Sequence, residues 1–543
     1  MTSGKEILTI QLGHYANFVG SHWWNIQEMG FDYTGASVSD INHDVLYREG
    51  KTDKGYVTFT PRLLLVDLKG SLRHLPEQGD LYEEVPDSSN VNVLWPKEKV
   101  DVIQAPKPEK NEFLEDLSKE HMEPEEIPLK IYDLDNEVNV WSDFLRTRYH
   151  PRTTTVINKY QHGNSAQTFD VYNYGLSLWK THDFEEEFTD KIRQFVEECD
   201  SMQGFQIIAD STDGFSGLCS GLLEHLADEY RGKSSLTFPT IRSTYPGSTP
   251  LQDSIRTVNI LLGFTSWAEH SSLLVPLSTA SSGWRTVGPP RHFPLLQYNA
   301  DLLYHSSSLI AAALETLTLP WRLRTPPSSL GDMCSGLSCV GRTFAAASLS
   351  LPFSLKEDAF LLDTLENWDG PLWESLTPSC PLQEDRIWIQ SLTLRGVPAT
   401  KLKRSNGDPR SPAYSCSSVQ EMLSLFLSCC SYATASQVTT SEKPLAVTSP
   451  FPQFFSKMVT PDGSLSTKER PPETCVHSVP ALAGLHSTKG VGTMLESLHT
   501  EASRLHMTRM HQFRSSGLED DEYNECLSAL LELRDCYREE FDV

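Results

Sequence analysis

The sequence predicts an α/β protein built on a parallel, doubly wound sheet with helices on both faces. Three observations carry that expectation. Ile7-Leu8-Thr9-Ile10-Gln11-Leu12 is a short, nearly continuous apolar run that stops at Gly13 and is followed by an aromatic-rich helix start. Strands covered on both faces read this way, whereas half-solvated strands alternate. Arg62 to Leu68 and Gly204 to Asp210 repeat the pattern, and helical periodicity from Phe184 to Cys199 supplies the kind of crossover that parallel strands need.

The elements follow in order. The opening strand leads through a Gly-bounded loop into a helix carrying His22-Trp23-Trp24, and at least one of the two Trp is expected to pack on the sheet. The strand from Arg62 ends in the polar turn Lys69-Gly70-Ser71. Residues 77–140 are acidic and rich in Pro and Lys, with little apolar periodicity; they read as a partly disordered insertion. Order resumes at Trp141-Ser142-Asp143-Phe144-Leu145. After the strand from Gly204 come a Gly/Ser loop, a helix from Gly221 to Tyr230, a run at Leu273-Leu274-Val275-Pro276-Leu277 and a helix from His305 to Leu317.

Residues 1–76 and 141–325 are thus expected to form one α/β domain, of the nucleotide-binding type if the family resemblance described below holds. A smaller mixed α/β domain is expected over 326–480, with strands at Ala345–Pro352 and Ile387–Leu394 and long Ser/Pro/Thr-rich loops at Lys401–Cys416 and Thr439–Pro472. Residues 481–543 read as C-terminal helices. In the last of them, Glu519 to Phe541, Leu527, Leu530, Leu531 and Tyr537 fall near one face, which is expected to pack on the second domain.

Charge narrows the function. Lys+Arg 46 against Asp+Glu 72 gives a net charge of −26, which argues against binding nucleic acid or adsorbing to anionic lipid. The longest apolar candidate for a membrane span, Leu309 to Trp321, carries Glu315 and falls short of the roughly 18 residues a bilayer requires. No secretory or transit segment is expected. The 11 Cys lack Cys-x-x-Cys spacing, so neither a disulfide framework nor a zinc site is indicated, and reduced thiols in the cytosol are expected.

A Gly-bounded loop between strand and helix turns backbone N–H groups and the helix dipole toward an anion, and Gly13-His14-Tyr15-Ala16-Asn17-Phe18-Val19-Gly20 sits in that context. With Lys5-Glu6-Ile7 before it and Trp24 after it, this segment resembles the first nucleotide loop of tubulins. Thr60 to Leu68 is similar to their second strand with its acidic end, and Glu198 to Gln206 resembles the helix–turn–strand before their Gly-rich loop. Asp213-Gly214-Phe215-Ser216-Gly217 occupies that loop. Within the superfamily, Gln11-Leu12-Gly13-His14, His22-Trp23-Trp24-Asn25, Asp67 to Leu72, Val140 to Leu145 and Asp213 to Gly217 together resemble the Misato family. The resemblance covers roughly Met1 to Phe353.

That likeness implies a tubulin-like Rossmann-type domain and a guanine nucleotide, GTP or GDP, as the cofactor to consider. Carried over, the site would comprise Gly13, His14, Asn17, Asp67, Gly214, Ser216, Gly217 and Asn259, with no catalytic residue and no metal ligand. Asp67 reads either as a water-mediated metal holder or as the cap of the following turn. The departures from the tubulin pattern oppose nucleotide chemistry. Asp213 sets a carboxylate beside a polyphosphate and Phe215 restricts backbone approach. His14 and Ala16 replace a Gln and a Gly. Ser306 and Ile310 fall where tubulins place an Asn and an aromatic. Near Cys339-Val340-Gly341-Arg342 a basic residue stands where filament hydrolysis needs an acid.

The family resemblance implies a non-catalytic regulator of mitochondrial distribution, morphology and network fusion. Its implied partners are tubulin, cytosolic chaperonin or the mitochondrial outer-membrane fusion machinery, and its location the cytoplasm and the cytosolic face of that membrane, held peripherally. The alternative is a slow tubulin-like GTPase acting in microtubule organisation. Gly217-Leu218-Cys219-Ser220-Gly221 also matches a Cys form of the hydrolase elbow; a packed core thiol reads the same residues.

Overall fold

The computed structural model describes residues 5–31, 39–51, 57–75, 109–119, 130–164, 167–325, 328–382, 386–404, 412–430 and 433–538. Its core is a six-stranded sheet in the order Thr154–Gln161, Leu63–Lys69, Ile7–Leu12, Gly204–Asp210, Ser234–Thr240, Leu273–Leu274, with every pair parallel. The strand order reverses between Ile7–Leu12 and Gly204–Asp210. At such a switch point the loops leaving the C-terminal strand ends diverge to opposite faces and open a crevice. The predicted parallel, doubly wound α/β fold is therefore the observed one.

Both central strands are buried over their whole length, which is why neither alternates. The helix His14–Met29 covers one face, and the helices Tyr172–Trp179, Gly214–Glu229 and Pro250–His270 lie with the apolar cluster of the other. Helix Pro250–His270 starts on a capping box in which the Thr249 hydroxyl accepts from Gln252 N at 3.3 Å and Gln252 Oε1 accepts from Thr249 N at 2.9 Å, with Pro250 at the first helical position. Helix Leu303–Leu317, which contains most of the longest apolar run, is buried at every position from Tyr304 onward. It is a core helix packed between His14–Met29 and the strands of a second sheet.

That second sheet has five strands in the order Glu374–Ser375, Ala346–Ser350, Ala481–Thr488, Ile387–Arg395, Ala435–Ser441. Its central strand, Ala481–Thr488, is antiparallel to both neighbours and falls within the stretch read from sequence as C-terminal helices. The correction has a physical reason: Ala-Leu-Ala-Gly-Leu-His-Ser-Thr has no β-branched core and so carries little strand signal. The two sheets join where Leu274 bridges Phe344.

Other expectations shift. Of the insertion 77–140, residues 109–119 and 130–140 are ordered: they form the helices Glu112–Leu117 and Leu134–Glu137, anchored by fully buried Phe113. The rest lies outside the described residues. Both Trp23 and Trp24 are buried. The terminal helix Asp520–Asp535 packs mainly on Pro250–His270 and Lys489–Ala502, and the turn that follows it meets the second domain, where the Tyr537 ring lies 6.2 Å from that of Trp388. Tyr523 donates to Ala502 O at 2.9 Å in the contact between helices.

Candidate functional site

The crevice at the switch point is where the nucleotide loops were expected. Helix His14–Met29 begins there without a side-chain cap of its own and with no acidic residue in its first turn. Its leading amides are taken instead by a residue 195 positions away. Asp210, at the end of the neighbouring strand, accepts from Tyr15 N at 2.8 Å through Oδ2 and from Ala16 N at 2.9 Å through Oδ1. Thr240 Oγ1 adds a third donor at 2.7 Å. Gly13 is what allows the approach: at φ 111° it has a backbone that other residues resist, and a Cβ there would lie 2.5 Å from Asp210 Oδ2.

The amides at a helix N-terminus are where a phosphate would bind, and here a carboxylate of the chain itself holds them. Burial pushes the Asp210 carboxyl above the ordinary Asp range, while Thr240, Arg242 and the Tyr15 amide pull it down. Asp213, beside it, is raised well above that range by burial and by the Asp210 charge.

The remaining expected residues are present in two groups. His14 Nδ1 lies 3.2 Å from Asp67 Oδ2, Asn17 Nδ2 donates to Val66 O at 3.1 Å and to Asp67 Oδ2 at 3.3 Å, and Trp141 Nε1 donates to the same oxygen at 2.8 Å. Burial disfavours the Asp67 anion, but His14, the Leu68 amide and Trp141 outweigh it and hold the carboxyl below the ordinary range. Asp67 Oδ1 accepts from Leu68 N at 2.7 Å, the turn-capping arrangement. His14 also stacks on His162, their ring centroids 3.9 Å apart.

The second group serves packing. Gly214 N donates to Phe169 O at 2.9 Å, and a Cβ at Gly217 would run into the Tyr172 carbonyl. These glycines let helix Tyr172–Trp179 lie close on helix Gly214–Glu229. Asp213 caps the latter through Phe215 N at 3.0 Å. Ser216 Oγ donates to Asn259 O at 3.1 Å. The Asn259 amide is fully engaged: Nδ2 donates to Asp170 O at 2.7 Å and Thr212 O at 2.9 Å, and Oδ1 accepts from Tyr172 N at 2.8 Å. Ser306 accepts from Tyr15 OH at 3.1 Å, and Ile310 is fully buried. Cys219 is completely buried and its thiol pKa is pushed well up by burial, the opposite of an activated nucleophile.

Known proteins place this geometry. The model of the Misato Segment II tubulin-like domain matches residues 5–119, and that of the tubulin domain matches residues 133–323. Protein misato of Drosophila melanogaster is 38% identical, covering 98% of each chain. Protein misato homolog 1 of Danio rerio is 34% identical over 98% of this chain and 97% of its own, and that of Homo sapiens 33% identical over 98% of both. The chain belongs to the Misato family.

In this Misato-family chain the residues do not fit a guanosine polyphosphate. The amides that would bind the phosphates are held by Asp210, and Asp213 faces the same space, so a polyphosphate would have to displace one carboxylate and lie against another. What remains open is a cavity of about 440 Å³ over the strand ends, lined by Asp213, Arg242, Tyr245, Arg256 and Asp301 among others. Arg256 stacks on the Tyr245 ring at 3.7 Å and pairs with Asp253 at 2.5 Å. Asp210 was the residue missed by sequence reasoning. Its only local signal was an acidic residue ending a buried strand at the mouth of a Gly-rich loop.

Proposed function

We propose that this Misato-family protein works without nucleotide chemistry, as a tubulin-like regulator of mitochondrial distribution, morphology and network fusion that acts through protein contacts. The observation that supports this reading most is the Asp210 carboxylate on the Tyr15 and Ala16 amides. It satisfies from within the chain the helix-start amides that a bound phosphate would otherwise take, so these donors call for no ligand. The partners in this proposal are tubulin, cytosolic chaperonin or the fusion machinery of the mitochondrial outer membrane. The place of action is the cytoplasm and the cytosolic face of that membrane, with attachment peripheral and protein-mediated. Among the described residues no helix is long and apolar enough to cross a membrane.

Two measurements test this. Purified protein is assayed for bound guanine nucleotide and for GTP turnover; neither is expected. Stoichiometric nucleotide with measurable hydrolysis would sink the proposal in favour of a GTPase of microtubule organisation. Proximity labelling on intact mitochondria, with and without depolymerised microtubules, reads the partners. Labelling of outer-membrane proteins that persists without microtubules is the expected result.

A further inference from the structure

The cavity over the strand ends keeps its charges apart. It measures about 440 Å³ and opens between the loop 244–249, the first turn of helix Pro250–His270 and the start of helix Leu303–Leu317, a size that suits a small molecule. Arg242, Asp170, Asp213 and Asp301 all line it, and among the described residues none of them forms an ion pair. Arg256, on the same wall, is already engaged: Nη2 meets Asp253 at 2.5 Å, Nη1 donates to Ser248 Oγ at 2.8 Å, and the guanidinium stacks on Tyr245.

Arg242 stands two residues past the end of strand Ser234–Thr240 and is half-buried. Its guanidinium lies over the Tyr15 ring, 5.9 Å from the centroid, and donates no hydrogen bond among the described residues. The carboxylate nearest in the fold, Asp210, spends its oxygens on Tyr15 N, Ala16 N and Thr240 Oγ1. Across the cavity, Asp301 is exposed and its carboxylate accepts no hydrogen bond among the described residues, while Asp170 accepts only from Thr168 Oγ1, at 2.8 Å. The two sides are near each other. Ser243 Oγ and Thr244 Oγ1 both donate to Ala300 O at 3.2 Å, so Arg242 and Asp301 each neighbour a residue of that contact, yet they do not pair.

These charges select among ligands. A dianion such as phosphate would gain Arg242 and meet three carboxyl groups. A simple amine would gain the carboxyl groups and meet the guanidinium. A molecule with one carboxylate and separate cationic groups satisfies both sides, and the guanidinium offers a carboxylate two parallel N–H donors. Asp213, whose carboxyl is raised well above the ordinary range by burial and by the Asp210 charge, would ionise more readily beside a cation. Ile255 and Leu303 add apolar wall for a methylene stem.

We propose that this cavity binds a free basic α-amino acid, its carboxylate on Arg242 and its cationic groups toward Asp170, Asp213 and Asp301. The ligand joins the end of strand Ser234–Thr240 to the start of helix Leu303–Leu317. The site goes beyond the proposed function and shares with it only a cavity free of guanine nucleotide.

The test is isothermal titration calorimetry of the full chain as purified, at pH 7 and constant ionic strength, with L-arginine, agmatine and L-citrulline as titrants. Arginine is expected to bind saturably, one per chain. Agmatine lacks the carboxylate and citrulline lacks the side-chain charge, and each is expected to bind about tenfold more weakly. Arg242→Gln is expected to bring arginine down to the affinity of agmatine without weakening agmatine. Asp301→Asn, at a side chain with no hydrogen bond to lose, is expected to narrow the gap between arginine and citrulline. No saturable binding of arginine by wild type, equal binding of the three titrants, or an Arg242→Gln chain that keeps its preference for arginine over agmatine overturns the proposal. Guanine nucleotide found in the purified protein would refute the proposed function as well, whereas a nucleotide-free chain indifferent to arginine refutes the amino-acid site alone.

Discussion

The Asp210 carboxylate and the Tyr15 amide, 195 residues apart and 2.8 Å from each other, join the two central strands of the sheet at the point where a tubulin-like loop would meet phosphate. Replacing Asp210 with Ala leaves Tyr15 N, Ala16 N and Thr240 Oγ1 without their acceptor. Three donors to a carboxylate are lost in a buried place, so a destabilisation of about 3 kcal/mol is expected. The exposed amides should then bind an anion: inorganic phosphate is expected to raise the urea midpoint of Asp210→Ala and to leave the wild-type midpoint unchanged. A variant insensitive to phosphate would mean the loop does not keep its shape without the carboxylate.

Asp213 makes a pH-dependent contribution whose sign follows from its raised pKa. A carboxyl that is harder to ionise in the folded state than in the unfolded state stabilises the fold fully below the ordinary value of 3.8, and that stability is lost as pH climbs toward the raised value. Asp213→Asn removes the ionisation and keeps a side-chain oxygen to cap Phe215 N. The variant should match wild type near pH 4 and exceed it at pH 7 by on the order of 1 kcal/mol. Denaturant titrations at the two pH values read the difference, and a variant less stable at pH 7 would contradict the assignment.

Tyr537 closes the C-terminal helix on the seam between the sheets. Its hydroxyl accepts from Phe344 N and donates to Phe344 O, each at 2.7 Å, and burial drives its pKa far above the ordinary Tyr value. Tyr537→Phe orphans both backbone groups of a fully buried residue. A loss of about 2–3 kcal/mol is expected, together with faster proteolysis within residues 500–538. Unchanged proteolysis would show that the apolar face of the helix suffices to hold it.

How much of this was legible in the sequence depends on whether the signal is local. Ile7–Leu12 and Gly204–Asp210 were read with their true bounds because a strand buried on both faces announces itself in consecutive residues. Ser234–Thr240 was not read, since Pro239 and two serines disguise a central strand. Thr154–Gln161 is a sheet edge, and its polar second half looks like loop. The site divides in the same way. Gly13 and Gly217 were visible, but one makes room for Asp210 and the other for the Tyr172 carbonyl, and only the fold reveals such distant neighbours. Sequence alignment to a phosphate loop could recover the position of a glycine but not what that glycine now faces.

Asn259 offers the clearest separation between a base-contacting residue and a packing residue. Its Nδ2 donates to the carbonyls of Asp170 and Thr212, and its Oδ1 accepts from Tyr172 N. Asn259→Asp keeps the acceptor and the shape but turns the two donors into an oxygen facing two carbonyls. In a packing role that repulsion, added to two lost hydrogen bonds in a fully buried site, should cost about 3 kcal/mol and fall away when the carboxyl is protonated at low pH. A residue whose task is to bind a ligand would tolerate the same change with little effect on the unfolding midpoint. Midpoints of Asn259→Asp and wild type at pH 7 and pH 4 decide between the roles: a deficit that shrinks toward pH 4 assigns Asn259 to holding the loop 170–172 against 212, whereas equal midpoints at both pH values would return it to the list of residues awaiting a ligand.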